Sequence, residues 1–336
     1  MEKEDHLSNE ISVSAELTEA GGKASIKSRF VSAMDRLCGG IVDFGNAYLE
    51  SSSAKKRAKT EGEVALIKRA AQFGLQKIEH DSVFAERAFE NHYQKVLKAQ
   101  SNKEAVVKCA LEDLKNNATS KHDEDAGPQQ LNDEFLDRFE RYAEDASTEQ
   151  LRERWGRILA GEVRKPGTFN RKVLRAIDEL DTDTASLFEQ LAACGVDDAI
   201  FVSILGELTF NQLVRLSSSG LIVNVDQQIR FFTKLSNGVS EDIWMLRVGE
   251  FGLGIPVSSQ PVYDDNKVLC FFEEKPCIPF HLLTDVGTAL MTIIPVDERD
   301  VIRRVAHSIE QKLGGSTIGK FSLDREKSSY SPIDDF

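Results

Sequence analysis

Trp155-Gly156-Arg157-Ile158-Leu159-Ala160-Gly161-Glu162-Val163-Arg164-Lys165-Pro166-Gly167-Thr168-Phe169 is the stretch whose reading decides the fold. Together with Leu151, the residues Trp155, Ile158 and Leu159 stand at i, i+4, i+7 and i+8, which puts them on one face of an α-helix. Ser147-Thr148-Glu149-Gln150 offers the start of that helix: the Ser147 hydroxyl can accept the Gln150 amide proton, and the Gln150 side chain can reach back. Lys165-Pro166-Gly167 offers its end, because proline donates nothing to the ladder and glycine permits a left-handed turn. Trp155 brings a large apolar area, and Ala160 and Gly161 let a partner helix come close. Thr168 or Asn170 restarts the chain as a new helix. Trp155, Leu159, Gly161, Glu162, Pro166, Gly167 and Phe169 therefore read as a helix–turn–helix corner whose role is structural. Arg152-Glu153-Arg154 and Glu162 read as a solvated helix face with i,i+4 pairs.

On either side of this corner the helical period continues. Phe135, Phe139, Tyr142 and Ala146 form an earlier stripe, and two short helices are expected near 170–180 and 183–194, the second capped by Thr182. Further back, residues 117–130 lose all apolar period and read as a linker. Residues 81–116 read as a long helix marked by Phe84, Ala88, Val96, Val106 and Leu111. Residues 54–78 carry Val64, Ile67, Ala71, Leu75 and Ile78 on one face, and residues 26–49 carry Ile26, Phe30, Leu37, Ile41, Phe44 and Tyr48 on another. Residues 1–24 are polar and read as a disordered arm.

Beyond residue 200 the texture changes. Strand-like runs appear at 221–223, 229–232, 243–248 and 268–272, punctuated by Gly, Pro, Asn and Asp. Short helices are expected at 210–217, at 286–294 after Thr284, and at 297–313; the residues after 314 read as a flexible tail. The order helix, Gly-Leu-Ile strand, further strands, then Leu-Thr-x-x-Gly-x-x-Leu resembles a winged-helix module. The expected fold is mainly α within an α+β class. A helical region at 25–116 is followed by the linker at 117–130. A helical domain at 131–195 leads to a winged-helix-like module at 196–313 and a tail at 314–336.

Composition narrows the function. Hydrophobic residues make up 41% of 336 residues, enough for a sizeable core, and a net charge of -13 gives no general pull on nucleic acid. Cys38, Cys109, Cys194, Cys270 and Cys277 are odd in number and lack a C-x-x-C pair, which suits buried thiols in a reducing cytosol. No apolar run is long enough to span a bilayer, and the charged Met1–His6 start is unlike a secretory signal. The histidines show no metal-ligand spacing, and neither G-x-S-x-G nor H-E-x-x-H occurs. Gly314–Lys320 matches G-x-x-x-x-G-K, but a helix precedes it where a strand is needed. Phe321 stands where the Mg²⁺-binding hydroxyl should be, and only 16 residues follow. No cofactor, metal or enzymatic activity is expected.

One charge cluster stands out. Residues 21–78 hold eleven Lys and Arg against five Asp and Glu, an excess of six positive charges on an acidic chain. At its centre, Lys55, Lys56, Arg57 and Lys59 form a candidate contact patch. It can dock on the acidic remainder of the protein, on an anionic membrane surface, or on nucleic acid. DNA binding by the winged-helix-like region is disfavoured. Residues 200–320 hold eleven basic against fourteen acidic residues, and the 210–217 helix brings only Arg215 to a phosphate.

The run from Trp155 through Pro166-Gly167-Thr168-Phe169-Asn170 to Leu174 resembles the signature of a bacterial family catalogued only as a domain of unknown function: W-x-x-(I/L)-L-A-G-E, then K/S-P-G-x-F-S, then R-x-L. Asn170 stands where that signature has Ser, a change a helix cap tolerates. Residues 282–290 and the basic N-terminal helix are similar to it more loosely, and related Leu-Trp-Ala-x-Leu-Leu-Ala patterns are similar to abortive-infection-type proteins. The resemblance implies a cytoplasmic bacterial protein of phage defence or stress response, without a known active site. The expected function is a non-enzymatic interaction or regulatory protein with a protein partner. The alternatives are a membrane-surface effector and a nucleic-acid binder, and the oligomeric state is open.

Overall fold

The computed structural model describes residues 24–38, 68–69, 82–117, 128–206, 208–236, 242–259, 267–314, 318–324 and 329–333. The chain divides into two compact units, Met1–Arg171 and Lys172–Phe336. The class is α+β: the described part of the first unit is helical, and the second mixes helices with antiparallel sheet.

In the first unit, α1 (Ala24–Cys38), α2 (Ser82–Asn116), α3 (Asp133–Asp145) and α4 (Glu149–Arg164) pack together. Their apolar stripes are the cause: Ile26, Phe30 and Leu37 of α1, Val106, Val107 and Leu114 of α2, and Phe135 and Phe139 of α3 are all buried. α2 is the spine. Thirty-five residues make it about 52 Å long, and only its second half is sunk in the core. Up to Ser101 most described side chains are exposed, Ala88 and Val96 among them, so of the described marks along 81–116 only Val106 and Leu111 face the core. Polar side chains lock the frame. Buried Asn102 donates to the Glu144 carbonyl at 2.7 Å and accepts from Arg152 at 2.7 Å. Lys103 pairs with Glu140 at 2.8 Å.

The second unit runs α5 (Arg171–Asp178, opening at the boundary), α6 (Thr182–Ala192), β1 (Gly195–Val196), β2 (Ala199–Phe201), α7 (Val202–Leu205) and α8 (Phe210–Ser218). Then come β3 (Gln228–Phe231), β4 (Thr233–Leu235), β5 (Ile243–Val248), β6 (Phe251–Pro256), β7 (Cys270–Phe272), β8 (Lys275–Leu282), α9 (Asp285–Met291), α10 (Glu298–Lys312), β9 (Gly319–Asp324) and β10 (Ser329–Pro332). Two antiparallel sheets result. One has the order β1-β2-β8-β3, with β7 also on β8; the other has the order β10-β9-β6-β5-β4. Only Phe232 separates β3 from β4, so one continuous run passes from the first sheet into the second. Phe201, Leu246, Leu253 and Ile278 from the sheets close over Val305 and Ile309 of α10 in a single core.

Several expectations are corrected. The stretch 117–130, read as a linker between domains, lies inside the first unit, because α2 and α3 on either side of it pack together through pairs such as Lys103–Glu140; the division falls at Arg171 instead. The residues after 314, read as a loose tail, supply β9 and β10, with β9 paired to β6. Residues 221–223 form only a single bridge, Ile222 to Leu283, rather than a strand. The caps shift by one residue: Thr148, not Ser147, accepts from the Leu151 amide at 3.3 Å, and Asp181, not Thr182, accepts from Thr184 at 2.8 Å. Thr284 does cap its helix. The arm at 1–23, residues 39–49 and almost all of 54–78 lie outside the described residues.

Candidate functional site

The corner is built from α4 and the turn after it. Trp155 is buried, lies parallel to the Tyr142 ring at 4.6 Å, and meets Phe139 edge-on at 5.9 Å. Leu159, Gly161 and Phe169 are buried as well. α4 crosses α2 at Gly156: a Cβ there would lie 2.5 Å from the Cys109 Cβ and 3.0 Å from the Ala110 backbone nitrogen. Only glycine allows that approach.

Glu162 is not on a solvated face. It is 2% exposed, and its two carboxylate oxygens accept the amide protons of Gly167 at 2.6 Å and Phe169 at 2.8 Å. Burial pushes its carboxyl above the ordinary range, while the amides of Gly167, Phe169 and Thr168 pull it partway back. The carboxylate thus closes the turn in which Lys165 N–H bonds the Gly161 carbonyl, Pro166 is half-buried, and Gly167 takes the left-handed φ of +89°. The two ends of α4's last turn are also held. Arg29 of α1, fully buried, donates to the carbonyls of Val163 at 3.1 Å, Arg164 at 3.3 Å and Pro128 at 2.9 Å. Its positive charge sits at the negative end of the helix dipole. Arg164 in turn pairs with Asp113. Glu162 and Arg29 are spent on backbone groups at and beside the turn, and Arg164 ties it to α2, so the arrangement organises backbone.

A different site stands on the second unit, at the β7–β8 hairpin. Its tip is Phe272-Glu273-Glu274-Lys275, and both glutamates have positive φ, 50° and 64°. Two left-handed residues in a two-residue loop are the geometry of a type I′ turn, which normally takes Asn-Gly or Gly-Gly. Glutamate there costs about 1 kcal/mol or more per residue. Next to this strained tip Phe272 is 57% exposed and its ring meets that of Phe231, 42% exposed, at 6.3 Å. Ile229, two residues from Phe231 on the same strand face, is exposed too. Among the described residues β3 is the end strand of its sheet, so this aromatic patch lies beside the sheet's edge. On α8, Phe210 and Val214 are exposed at i, i+4. The one basic residue of α8, Arg215, is 3.7 Å from Asp183 of α6, across a shallow groove lined by Ser186, Leu187, Gln190 and Gln212.

The charge cluster Lys55, Lys56, Arg57 and Lys59 lies outside the described residues. At the loop-like Gly314–Lys320, α10 precedes and Gly319-Lys320 open β9, so a strand stands where a phosphate loop requires a helix. Among the described residues there is no group of three or more His, Cys, Asp or Glu able to hold a metal, and no helix long and apolar enough to cross a membrane.

Sequence reading missed Arg29 and the aromatic patch. Arg29 could have been found: three residues after Ile26 and four before Ala33, it falls on the stripe that is buried. The patch also left a trace in the doublet Phe231-Phe232, since neighbours on a strand point to opposite faces and one of the two must leave the core; in the doublet Phe271-Phe272 both rings are exposed.

Residues 86–236 match the model of a family described as a protein of unknown function, DUF2806. The match covers just under half of the chain, from α2 through β4, and contains the whole corner. No curated protein matches the chain, and no solved structure does.

Proposed function

We propose that this chain is a non-enzymatic interaction protein that grips a protein partner with the β7–β8 hairpin tip and the neighbouring β3 edge. The observation that carries this reading is the solvent-exposed Phe231–Phe272 pair beside a turn held in an unfavourable backbone conformation. Exposed aromatic pairs are unusual on a surface that a monomer has no reason to keep apolar, and aromatic residues dominate the centres of protein interfaces. Strain that the fold retains at one loop is often functional. Phe272 flanked by Glu273 and Glu274 fits a partner pocket with an apolar floor and a basic rim.

The order α6, β2, α7, α8, β3, β8, with β8 between β2 and β3, supports a finer reading as a winged-helix-like module. In that reading the second sheet begins as an insertion between its last two strands, and the hairpin tip occupies the place of the wing. Arg215 is the single basic residue of α8, which argues for a protein rather than a phosphate backbone as the ligand. The resemblance of the corner to a bacterial signature supports a cytoplasmic setting in phage defence or stress response.

The test is site-specific photo-crosslinking in cells, with the reactive group at position 272 and, as a control, at the exposed Glu149 of α4. The account expects a discrete protein adduct from position 272 that is lost when Phe231 is changed to Ser. Equal, diffuse labelling from both positions would overturn it.

A further inference from the structure

The base of the same hairpin carries a feature that the interaction reading does not use. Cys270 of β7 and Cys277 of β8 are direct cross-strand partners. Cys38, Cys109 and Cys194 lie on helices or a turn, so this is the one cysteine pair that sheet pairing brings together among the described residues. The type of pairing can be worked out from the neighbouring strand. Phe232 N–H donates to the Pro276 carbonyl at 2.9 Å, so Pro276 points its carbonyl at the β3 side. Successive residues alternate, and Cys277 therefore turns its N–H and C=O toward β7. Cys270 and Cys277 are then a hydrogen-bonded pair, for which the Cα separation is about 5.5 Å. Disulfides span about 4.4–6.8 Å between Cα atoms. The Cβ atoms of opposed residues lie about 4.5–5.5 Å apart, toward the far end of that range in a hydrogen-bonded pair, and a disulfide needs about 4 Å, so the bond forms with strain and is the more easily reduced. The sulfur of Cys277 is already turned to its neighbour, donating to the Cys270 carbonyl at 3.5 Å.

The two thiols are unequal. Cys277 is buried, while Cys270 is partly open to solvent. That asymmetry gives an order of events: the accessible thiol meets an oxidant, and the buried one resolves the adduct without ever facing bulk solvent.

We propose that Cys270 and Cys277 form a reversible cross-strand disulfide by exchange with a small-molecule disulfide. The Cys270 thiolate attacks one sulfur of the oxidant, a Cys270–sulfur bond forms, the oxidant's own S–S bond breaks, and one thiolate leaves. Cys277 then loses its proton and attacks the Cys270 sulfur, expelling the second thiolate. Two protein thiols are oxidised to one disulfide, and one small-molecule disulfide is reduced to two thiols. Burial, with the Cys270 thiol beside it, pushes the Cys277 thiol up to about 11. The closing step is therefore slow near neutrality and quickens about tenfold per pH unit as the thiolate fraction grows. In a reducing compartment such a bond is transient, as regulatory disulfides are.

The full chain, folded, is incubated with glutathione disulfide, its remaining thiols are blocked, and it is cut with a glutamyl endopeptidase. Glu273 and Glu274 lie between the two cysteines, so the flanking peptides stay joined only through the new bond. The proposal expects joined peptides from the wild type, released again by a reductant. It expects a glutathione adduct accumulating on Cys270 in Cys277→Ser, and neither product at these positions in Cys270→Ser. It expects the wild-type adduct to decay faster as pH is raised. Joined peptides that appear only in denaturant would overturn it. So would unmodified Cys270 in folded Cys277→Ser, or closure whose rate is flat with pH.

Discussion

The corner and the hairpin tip treat the same kinds of residue in opposite ways. At the corner an acidic side chain, Glu162, is buried and both its oxygens are taken by backbone amides. At the tip two acidic side chains, Glu273 and Glu274, are left in solvent on a backbone that disfavours them. The corner's aromatic, Trp155, is closed in by Tyr142 and Phe139; the tip's aromatic, Phe272, has one ring beside it and is otherwise open. The contrast separates residues that hold a fold from residues the fold holds out. The stretch that looks most like a signature is accounted for by packing, and the proposed contact surface lies outside it, on the second unit.

The largest expected effect is at the corner. Trp155→Ala removes a buried aromatic from between Tyr142, Phe139 and the helix core and should destabilise the first unit by about 3–5 kcal/mol. Denaturant unfolding of that unit measures it, and an unchanged midpoint would make Trp155 a surface residue. Gly156→Ala comes next. The added Cβ must push α4 off α2 at Cys109 and Ala110, and overpacking of this kind costs about 1–3 kcal/mol. The gain of about 1 kcal/mol in helix propensity offsets only part of that. The same unfolding experiment would show stabilisation instead if the crossing were loose.

Glu162→Gln keeps the shape but turns an amide NH₂ toward one of the two backbone donors, at a cost of about 1–3 kcal/mol. It also carries a pH signature. Burial raises the Glu162 carboxyl in the folded unit, so its proton is held more tightly there than in the unfolded chain. That contribution is present below the ordinary value of 4.5 and lost as pH rises through the folded value. In the Gln variant this component should vanish from a stability–pH profile. His281, buried in the second unit with Nδ1 lacking a hydrogen-bond partner among the described residues, shifts the other way: burial lowers its value below the ordinary 6.5. Its neutral form is compatible with the fold at pH 7. Stability is lost as pH falls below 6.5 and through the folded value, because the unfolded chain takes up the proton first. His281→Phe should flatten the second unit's melting profile between neutral and mildly acidic pH, and an unchanged slope would mean the imidazole is solvated.

How much of this was legible depended on range. The α4 stripe, its Pro-Gly stop, the Thr284 cap and the 243–248 strand were readable because each is set by neighbours a few residues apart. β9 and β10 were not, since Phe321, Ser322 and Tyr330 become strand residues only through pairing with β6 and with one another. Glu162 was misread because its amphipathic position looked outward, while the chain after Gly167 folds back over it. Exposure at Phe272 follows from the short β7 hairpin, in which Phe271 is exposed as well, and no neighbouring residue in the sequence announces that.

The smallest expected effect is the most informative. If Phe272 is held out for contact rather than packed, Phe272→Ser should leave the second unit's stability within about 0.5 kcal/mol of its parent. The two tryptophans fall one in each unit, so Trp155→Phe leaves Trp244, which is packed against the second unit's core, as that unit's own fluorescent reporter. Denaturant unfolding followed at Trp244, with and without Phe272→Ser in that background, is the direct measurement. The account predicts superimposable transitions. A loss of several kcal/mol would contradict it and make the tip part of the core.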